Sequence, residues 1–376
     1  MTTETVERRG VAAAGDMTRL NAICPYYTMF PLSFPLSVLQ TLGTKPRVLA
    51  DPFCGRGTTA FAARLHGVAT IGADSNPLAA VLSASKLVAV TAESVKKELA
   101  ALLRKSGAAV EVPQGEFWQW AFAPRTLRTI CALRRVLCRP SDNPNRIALR
   151  ALVAGALHGP RNKGTPSYLS NQAPRTFGPK PEYAVRFWKA AQMRPLEVDL
   201  AAVIGERADR YYSYTPPPVP HHIALADSRS FDWQVLNQPI DLAITSPPYW
   251  RMKTYGADQW LRLWWLGAEP RVDYSVEDQL SHNTQAQFAR DLTAVWKRLR
   301  RACNATSRLV IRFGIIPSAP VDAYALLSQS LDDSGWRIDS CIDAGSARSG
   351  KRQCEHFTRG ESNPAREFDA WCSLKA

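Results

Sequence analysis

The sequence predicts an α/β protein built on an open sheet, and three observations predict it. Residues 47–73 read as strand, glycine turn, helix and strand in one short unit. Short apolar runs bounded by turn residues return beyond residue 222. Between these two regions lies a long block whose apolar residues recur at helical spacing.

Taken in order, residues 1–18 carry no periodicity and read as a disordered start. The aromatic, proline-rich stretch 26–39 runs from a loop into a helix. Residues 47–50 read as a buried strand, 55–57 as a tight turn, 58–65 as a helix and 69–73 as a second strand. Helices are expected at 79–87, 92–105, 126–137 and 147–157, followed by a loop rich in Pro, Gly, Asn and Arg over 159–181. Past the linker Pro216-Pro217-Pro218, strands are expected at 223–226, 241–245, 308–313, 336–344 and 367–373. Two helices, 285–301 and 323–334, lie among them. No internal repeat is visible.

With 376 residues and 45% hydrophobic content, the chain is long enough for a large domain with an insertion. The formal net charge of +14 is an argument for a polyanionic partner, nucleic acid before an anionic membrane surface. Residues 92–219 hold 20 Lys and Arg against 10 Asp and Glu, so a net of +10 sits in this third of the chain. The eight cysteines form no C-x-x-C pair, which excludes a zinc ribbon and a thioredoxin-like motif. No signal peptide and no apolar run of membrane-spanning length is seen, and a reduced cytoplasmic compartment with free thiols is expected.

The segment Asp51-Pro52-Phe53-Cys54-Gly55-Arg56-Gly57-Thr58-Thr59 ends a strand in a glycine turn and opens a helix. Glycines there let the backbone approach a ligand closely. Asp74, in Ile71-Gly72-Ala73-Asp74-Ser75-Asn76, ends the second strand, where an acid is the expected partner of ribose hydroxyls. No G-K-[ST] follows Gly57, which argues against a phosphate-gripping loop. Thr245-Ser246-Pro247-Pro248-Tyr249-Trp250 follows the apolar strand at 241–245. A conjugated exocyclic amine is a poor nucleophile. Acceptors at Ser246 and the Pro247 carbonyl would pull its nitrogen toward tetrahedral geometry, and the two prolines would stiffen the loop that carries them.

The first segment resembles the cofactor motif of the DNA amino-methyltransferases, and Ser246-Pro247-Pro248-Tyr249 resembles their S-P-P-Y catalytic motif. The resemblance implies a Rossmann-like, seven-stranded methyltransferase sheet with a basic, mainly helical insertion, and S-adenosylmethionine as cofactor. It places Asp51 at the methionine end of the cofactor, Asp74 at the ribose and Asp227 at the adenine edge, with Phe53, Gly55, Gly57, Thr58 and Ser75 around them. Phe30, in the stretch 30–35, fits either a wrap around the methionine moiety or ordinary core packing. Tyr249 would stack on a base turned out of the duplex. Ser246 resembles the N4-cytosine enzymes, whereas adenine enzymes carry Asp or Asn there. The expected reaction is therefore transfer to cytosine N4 in a specific DNA sequence, in a restriction-modification setting with a possible cognate endonuclease. N6-adenine methylation, RNA base amino-methylation and an inactive methylase-like nucleic-acid-binding protein stay open as alternatives.

The catalytic domain is expected to comprise 19–91 and 216–376, with 92–215 as the target-recognition region. DNA contacts are expected from Arg161, Lys163, Arg175 and Lys180 in the basic loop and from Trp250. That loop equally fits a structured cover over the cofactor. The aromatics of residues 255–265 have helical spacing and read as core. His221-His222 reads as a solvated pair, and no metal site is expected. The absence of a Pro-Cys dipeptide argues against cytosine C5 methylation through a thiolate.

Overall fold

A computed structural model of the chain describes residues 17–26, 30–105, 110–159, 168–171, 180–251, 255–274, 280–315, 321–346 and 366–375. A 3-10 turn at Arg19–Ala22 precedes α1 (Ser33–Thr41), α2 (Thr58–Leu65), α3 (Pro77–Ser85), α4 (Ala92–Arg104), α5 (Glu116–Ala121), α6 (Pro124–Leu137) and α7 (Pro144–Ala156). Then come α8 (Pro181–Ala190), α9 (Leu200–Tyr212), α10 (Tyr255–Asp258), α11 (Trp260–Trp265), α12 (Gln285–Arg300) and α13 (Ala323–Leu331). The strands are β1 (Val48–Asp51), β2 (Ala69–Asp74), β3 (His221–Leu225), β4 (Ile240–Thr245), β5 (Cys303–Gly314), β6 (Trp336–Ser346) and β7 (Arg366–Leu374).

These strands form one seven-stranded sheet in the order β3-β2-β1-β4-β5-β7-β6. β3, β2, β1, β4 and β5 run parallel, and β7 runs antiparallel to both β5 and β6. The fold is thus α/β with a mixed sheet, the arrangement expected of a Rossmann-like methyltransferase sheet. Strand order reverses between β1 and β4, where Leu49 pairs with Leu242 and Ala50 with Ala243. In open α/β sheets, the crevice for a ligand opens at such a reversal, beyond the carboxyl ends of the strands.

The chain divides into two compact units, each assembled from three stretches of sequence. The sheet unit takes residues 27–87, 217–253 and 276–376. Its strands alternate between two cores. Val48, Ala50, Ala243, Leu309 and Ile311 pack with Phe288, Leu292, Val295 and Trp296 of α12. Leu49, Leu242, Ile244 and Val310 pack with Phe34 and Val38 of α1 and Ala62 and Ala63 of α2. Burial on both faces is why these strands read as continuous apolar runs rather than alternating ones.

The other unit takes residues 1–26, 88–216 and 254–275. The sequence placed 19–26 and 254–275 with the sheet, but aromatic packing draws 254–275 into this helical unit. The Trp264 ring lies 4.5 Å from that of Trp118, and Trp260 lies 4.9 Å from Phe117, which also meets Trp188. Arg262 is fully buried and donates to the carbonyls of Ala154 and His158 and to Gln259 Oε1. Helices α5, α8 and α9 were not singled out in the sequence. One of them starts at a proline that read as loop: Pro181 is the first residue of α8, where its missing N–H is no loss. α7 starts at Pro144, three residues before the expected 147, because Asn143 Oδ1 accepts from the amides of Asn145 and Arg146. Among the described residues the cysteines are free thiols, and no helix is long and apolar enough to cross a membrane.

One ion pair ties β7 to the parallel part of the sheet. Arg312 and Asp369 are register partners on β5 and β7 and make two bonds of 2.7 Å, with side chains only 9% and 13% exposed. The guanidinium also lies 3.8 Å from the Phe34 ring centroid. Removing one partner of such a pair strands a desolvated charge. R312M is expected to lower the urea-unfolding free energy by about 3 kcal/mol. The double variant R312M/D369L is expected to regain most of that loss in the same measurement.

Candidate functional site

Two loops at the carboxyl ends of neighbouring β1 and β4 form the site, and the ends of β2 and β3 flank them. Asp51, the last residue of β1, is 1% exposed. Its Oδ1 accepts from the Phe53 amide at 3.1 Å and from Thr245 Oγ1 at 2.7 Å. Its Oδ2 is buried and has no partner among the described residues. Burial pushes this carboxyl up to about 7, against the opposing bonds from Thr245, Thr59 and Phe53.

The turn that follows is shaped by its glycines. Gly57 sits at φ 77° and opens α2, and a Cβ there would lie 2.6 Å from Ser83 Cα of α3. Gly57 N donates to Cys54 O at 2.7 Å, and Cys54 N donates to Ala73 O at 3.1 Å, so β2 holds the turn in place. Asp74 completes the clasp: its Oδ2 accepts from the Gly55 amide and its Oδ1 from the Asn76 amide, each at 2.9 Å. Burial raises its carboxyl to about 6 despite these bonds. Thr58 is buried with an unpartnered Oγ1, Ser75 is half-buried, and Phe53 meets Trp296 edge-on at 6.1 Å. Burial holds the Cys54 thiol well above its ordinary range, so it is no nucleophile.

At the end of β4 and in the loop after it, Thr245 and Pro247 are buried while Ser246 and Pro248 are half-buried. The Tyr249 phenol donates to Glu367 Oε1 at 2.8 Å, and its ring stands edge-on to Phe313 at 5.9 Å. Burial and the Glu367 carboxylate hold this phenol protonated, and the Ser246 side chain hydrogen-bonds it in turn. The loop leaves through Arg251 at φ 64°, whose amide donates to His282 Nδ1 at 3.0 Å.

Of the other residues singled out in the sequence, Trp250 is the one placed against its expected role. Trp250, expected to touch DNA, is 5% exposed and packs on Phe288 at 5.5 Å and His282 at 5.9 Å. The apolar core takes this indole because it is the next side chain after the loop. Asp227 lies just past β3, but its carboxylate is clasped by Arg229, at 2.8 Å from Nε and 2.5 Å from Nη2. Desolvation opposes ionisation there, yet the Arg229 bonds keep the carboxyl below its usual range. Phe30 packs edge-on against Phe34 at 5.1 Å. His221 and His222 are exposed at the start of β3. Lys180 is exposed at the start of α8 in the helical unit. Arg161, Lys163 and Arg175 lie outside the described residues.

Three residues that sequence reasoning passed over are Thr245, Arg229 and Glu367. Thr245 stands inside the quoted motif and could have been found there. Arg229 follows Asp227 at the spacing of an Asx turn. Glu367 reaches Tyr249 across 118 residues of sequence, with no local signal at all.

No family model matches the chain, and no curated protein matches it. Among solved structures, it is similar to the rRNA methyltransferase aviRa from Streptomyces viridochromogenes at 12% identity, over 95% of this chain and 91% of that one, with a TM-score of 0.37. It is similar to a TehB-like SAM-dependent methyltransferase from Corynebacterium glutamicum ATCC 13032 Kitasato at 9% identity, over 99% and 96% of the chains, with a TM-score of 0.33. It is also similar to magnesium protoporphyrin IX methyltransferase from Synechocystis PCC 6803 with bound SAM at 10% identity, over 99% and 97%, with a TM-score of 0.35. At such scores these likenesses carry nothing about ligand or substrate, which rest on the residues of this chain.

The buried Asp51 has a consequence for stability. Its carboxyl ionises at 3.8 in the unfolded chain and at about 7 in the fold, so the folded state binds the extra proton between those values. Stability therefore falls as pH rises through that window and is flat above it. At about 1.4 kcal/mol per pH unit, the charge costs the fold up to roughly 4 kcal/mol at pH 8. D51N is expected to unfold at higher urea than the wild type at pH 8, with the gap closing toward pH 4.

Proposed function

We propose that this chain transfers a methyl group from S-adenosylmethionine to the exocyclic N4 amine of cytosine in DNA. The observation that carries the reading is the Thr245–Asp51 bond, which joins a glycine-turn loop and a Ser-Pro-Pro-Tyr loop at the point where strand order reverses. The site's chemistry fits the cofactor. The unpartnered, buried Oδ2 of Asp51 is an acceptor waiting for a cationic donor such as an α-ammonium group. The Gly55 to Gly57 turn admits close approach, and Asp74 keeps further acceptor capacity for ribose hydroxyls beyond its two amide bonds.

When bound, S-adenosylmethionine supplies an electrophilic methyl group on a sulfonium. The chain's own residues prepare the amine. Tyr249 directs its proton to Glu367, so its oxygen is free to accept the Ser246 hydroxyl. Ser246 then turns its lone pairs outward, toward one amine N–H, and polarisation along the chain strengthens it as an acceptor. The Pro247 carbonyl takes the second N–H. The two prolines hold both acceptors in place before the base arrives, which places catalysis in proximity and orientation. The extra proton leaves to solvent after transfer. An adenine amine would meet the same acceptors; the serine at position 246 favours cytosine by resemblance.

The test is the mass of nucleosides from duplex DNA incubated with pure protein and S-adenosylmethionine, where N4-methylcytosine is expected. N6-methyladenine would overturn the base, and product from RNA alone would overturn the substrate. S246A is expected to lower kcat about 10²- to 10³-fold, the range for loss of a preorganised hydrogen-bonding group. E367A is expected to lower kcat about tenfold with KM for DNA little changed, while E367Q, which still accepts from Tyr249, retains most of the rate. Equal losses in E367A and E367Q would remove Glu367 from the positioning of Tyr249.

A further inference from the structure

Helix α6 is unlike the other long helices of its unit in how it carries charge. Arg125, Arg128 and Arg135 lie on it and Arg139 just beyond its end, all four exposed. At about 100° per residue the three on the helix fall within roughly 80° of one another around the axis, and at about 1.5 Å per residue they span roughly 15 Å. The helix contains no acid. No ion pair of any of the four is found among the described residues. Elsewhere in this unit three bases are answered by acids: Lys96 by Asp209, Arg146 by Glu98 and Lys189 by Glu116.

The remaining polar contacts of α6 serve the fold and leave the stripe free. Glu197 accepts from the Arg125 amide and from the Thr126 hydroxyl, an N-terminal cap that does not engage the Arg125 guanidinium. Arg134 points to the opposite side, where its Nε donates to Trp264 O at 2.7 Å and its Nη2 to Ala268 O at 2.9 Å. Like charges three and four residues apart repel one another and weaken a helix. Four unpaired arginines on one face are therefore a liability in the free protein that a polyanion would remove.

We propose that the outer face of α6 is a phosphate-tracking surface that binds the backbone of duplex DNA through Arg125, Arg128, Arg135 and Arg139. The assignment rests on the DNA reading given above and deepens it. Planar guanidinium forks suit phosphate oxygens in pairs. Backbone contacts of this kind position a protein on DNA without reading sequence. Its contribution is to affinity and register rather than to choice of base.

The experiment measures the affinity of the full chain for a duplex DNA oligonucleotide across a salt series, with the cofactor product S-adenosylhomocysteine present. Each phosphate contact contributes about 0.9 to the slope of log K against log salt. The variant R125Q/R128Q/R135Q/R139Q is expected to reduce that slope by about 3.6, and the half-variants R125Q/R128Q and R135Q/R139Q by about 1.8 each. Far-UV circular dichroism and the thermal midpoint check that each variant is folded, and the half-variants serve where the quadruple variant is not. R104Q/K105Q, removing two exposed bases at the end of α4, is expected to leave the slope unchanged.

A wild-type slope in the folded α6 variants would overturn the proposal, as would an equal loss in R104Q/K105Q. An arginine-dependent slope on duplex RNA with none on DNA would overturn the choice of partner. Binding is read without turnover, so a chain that binds DNA through these arginines but methylates no base would sink the proposed activity and leave this surface standing.

Discussion

The bond from Thr245 Oγ1 to Asp51 Oδ1 is the interaction on which the rest of the site depends. It lies where water cannot compete and joins the tips of two adjacent parallel strands. Without it the loop after β1 and the loop after β4 would be two separate turns on a sheet edge. With it, the spacing between the buried acid at the end of β1 and the serine that follows β4 is fixed by the backbone register of the two strands. The bond satisfies one oxygen of a carboxylate whose other oxygen remains without a partner.

The second loop is braced from the other direction. Tyr249 is held by Glu367 on β7, and β7 is in turn fixed to β5 by a seven-residue antiparallel register and the Arg312–Asp369 pair. Arg312 also caps the Phe34 ring of α1, which belongs to the hydrophobic layer that Val310 of the same strand faces. The antiparallel strand thus gives the loop after β4 a backstop that five parallel strands alone do not supply.

The unit from β1 to β2 was legible to within a residue or so in the sequence, because a glycine turn, a helix of small residues and two buried strands leave few alternatives. Gly57 is a clear case: its positive φ and the approach of Ser83 both forbid a side chain. The strands of the carboxyl-terminal half were placed correctly but drawn short at 308, since β5 begins at Cys303 with residues that are half exposed and polar. Long-range partners were invisible. Nothing near Glu367 announces Tyr249, and nothing near Asp227 except Arg229 itself reveals that its carboxylate is engaged. Trp250 was misread because an aromatic beside a catalytic motif looks the same in sequence whether it faces a base or the core. The membership of 254–275 in the helical unit was hidden for a related reason: its tryptophans have helical spacing wherever they pack.

Both units are discontinuous in sequence, and the chain passes from one to the other at five points. During synthesis the first strands, β1 and β2, leave the ribosome long before β4, β5 and β7, which must insert beside them to bury their second face and edges. The helical unit likewise waits for residues 254–275 before its tryptophan cluster can close. The helical unit can therefore close only after β4 has been made, and the sheet unit only after the last segment of the helical unit. The same interleaving bears on descent. A unit carried on one continuous segment could be exchanged between relatives as a cassette, whereas the helical unit could be exchanged only together with the segments of the sheet unit that lie between its parts in sequence. Changes in what such a protein recognises would have to accumulate residue by residue, on surfaces such as the exposed face of a single helix.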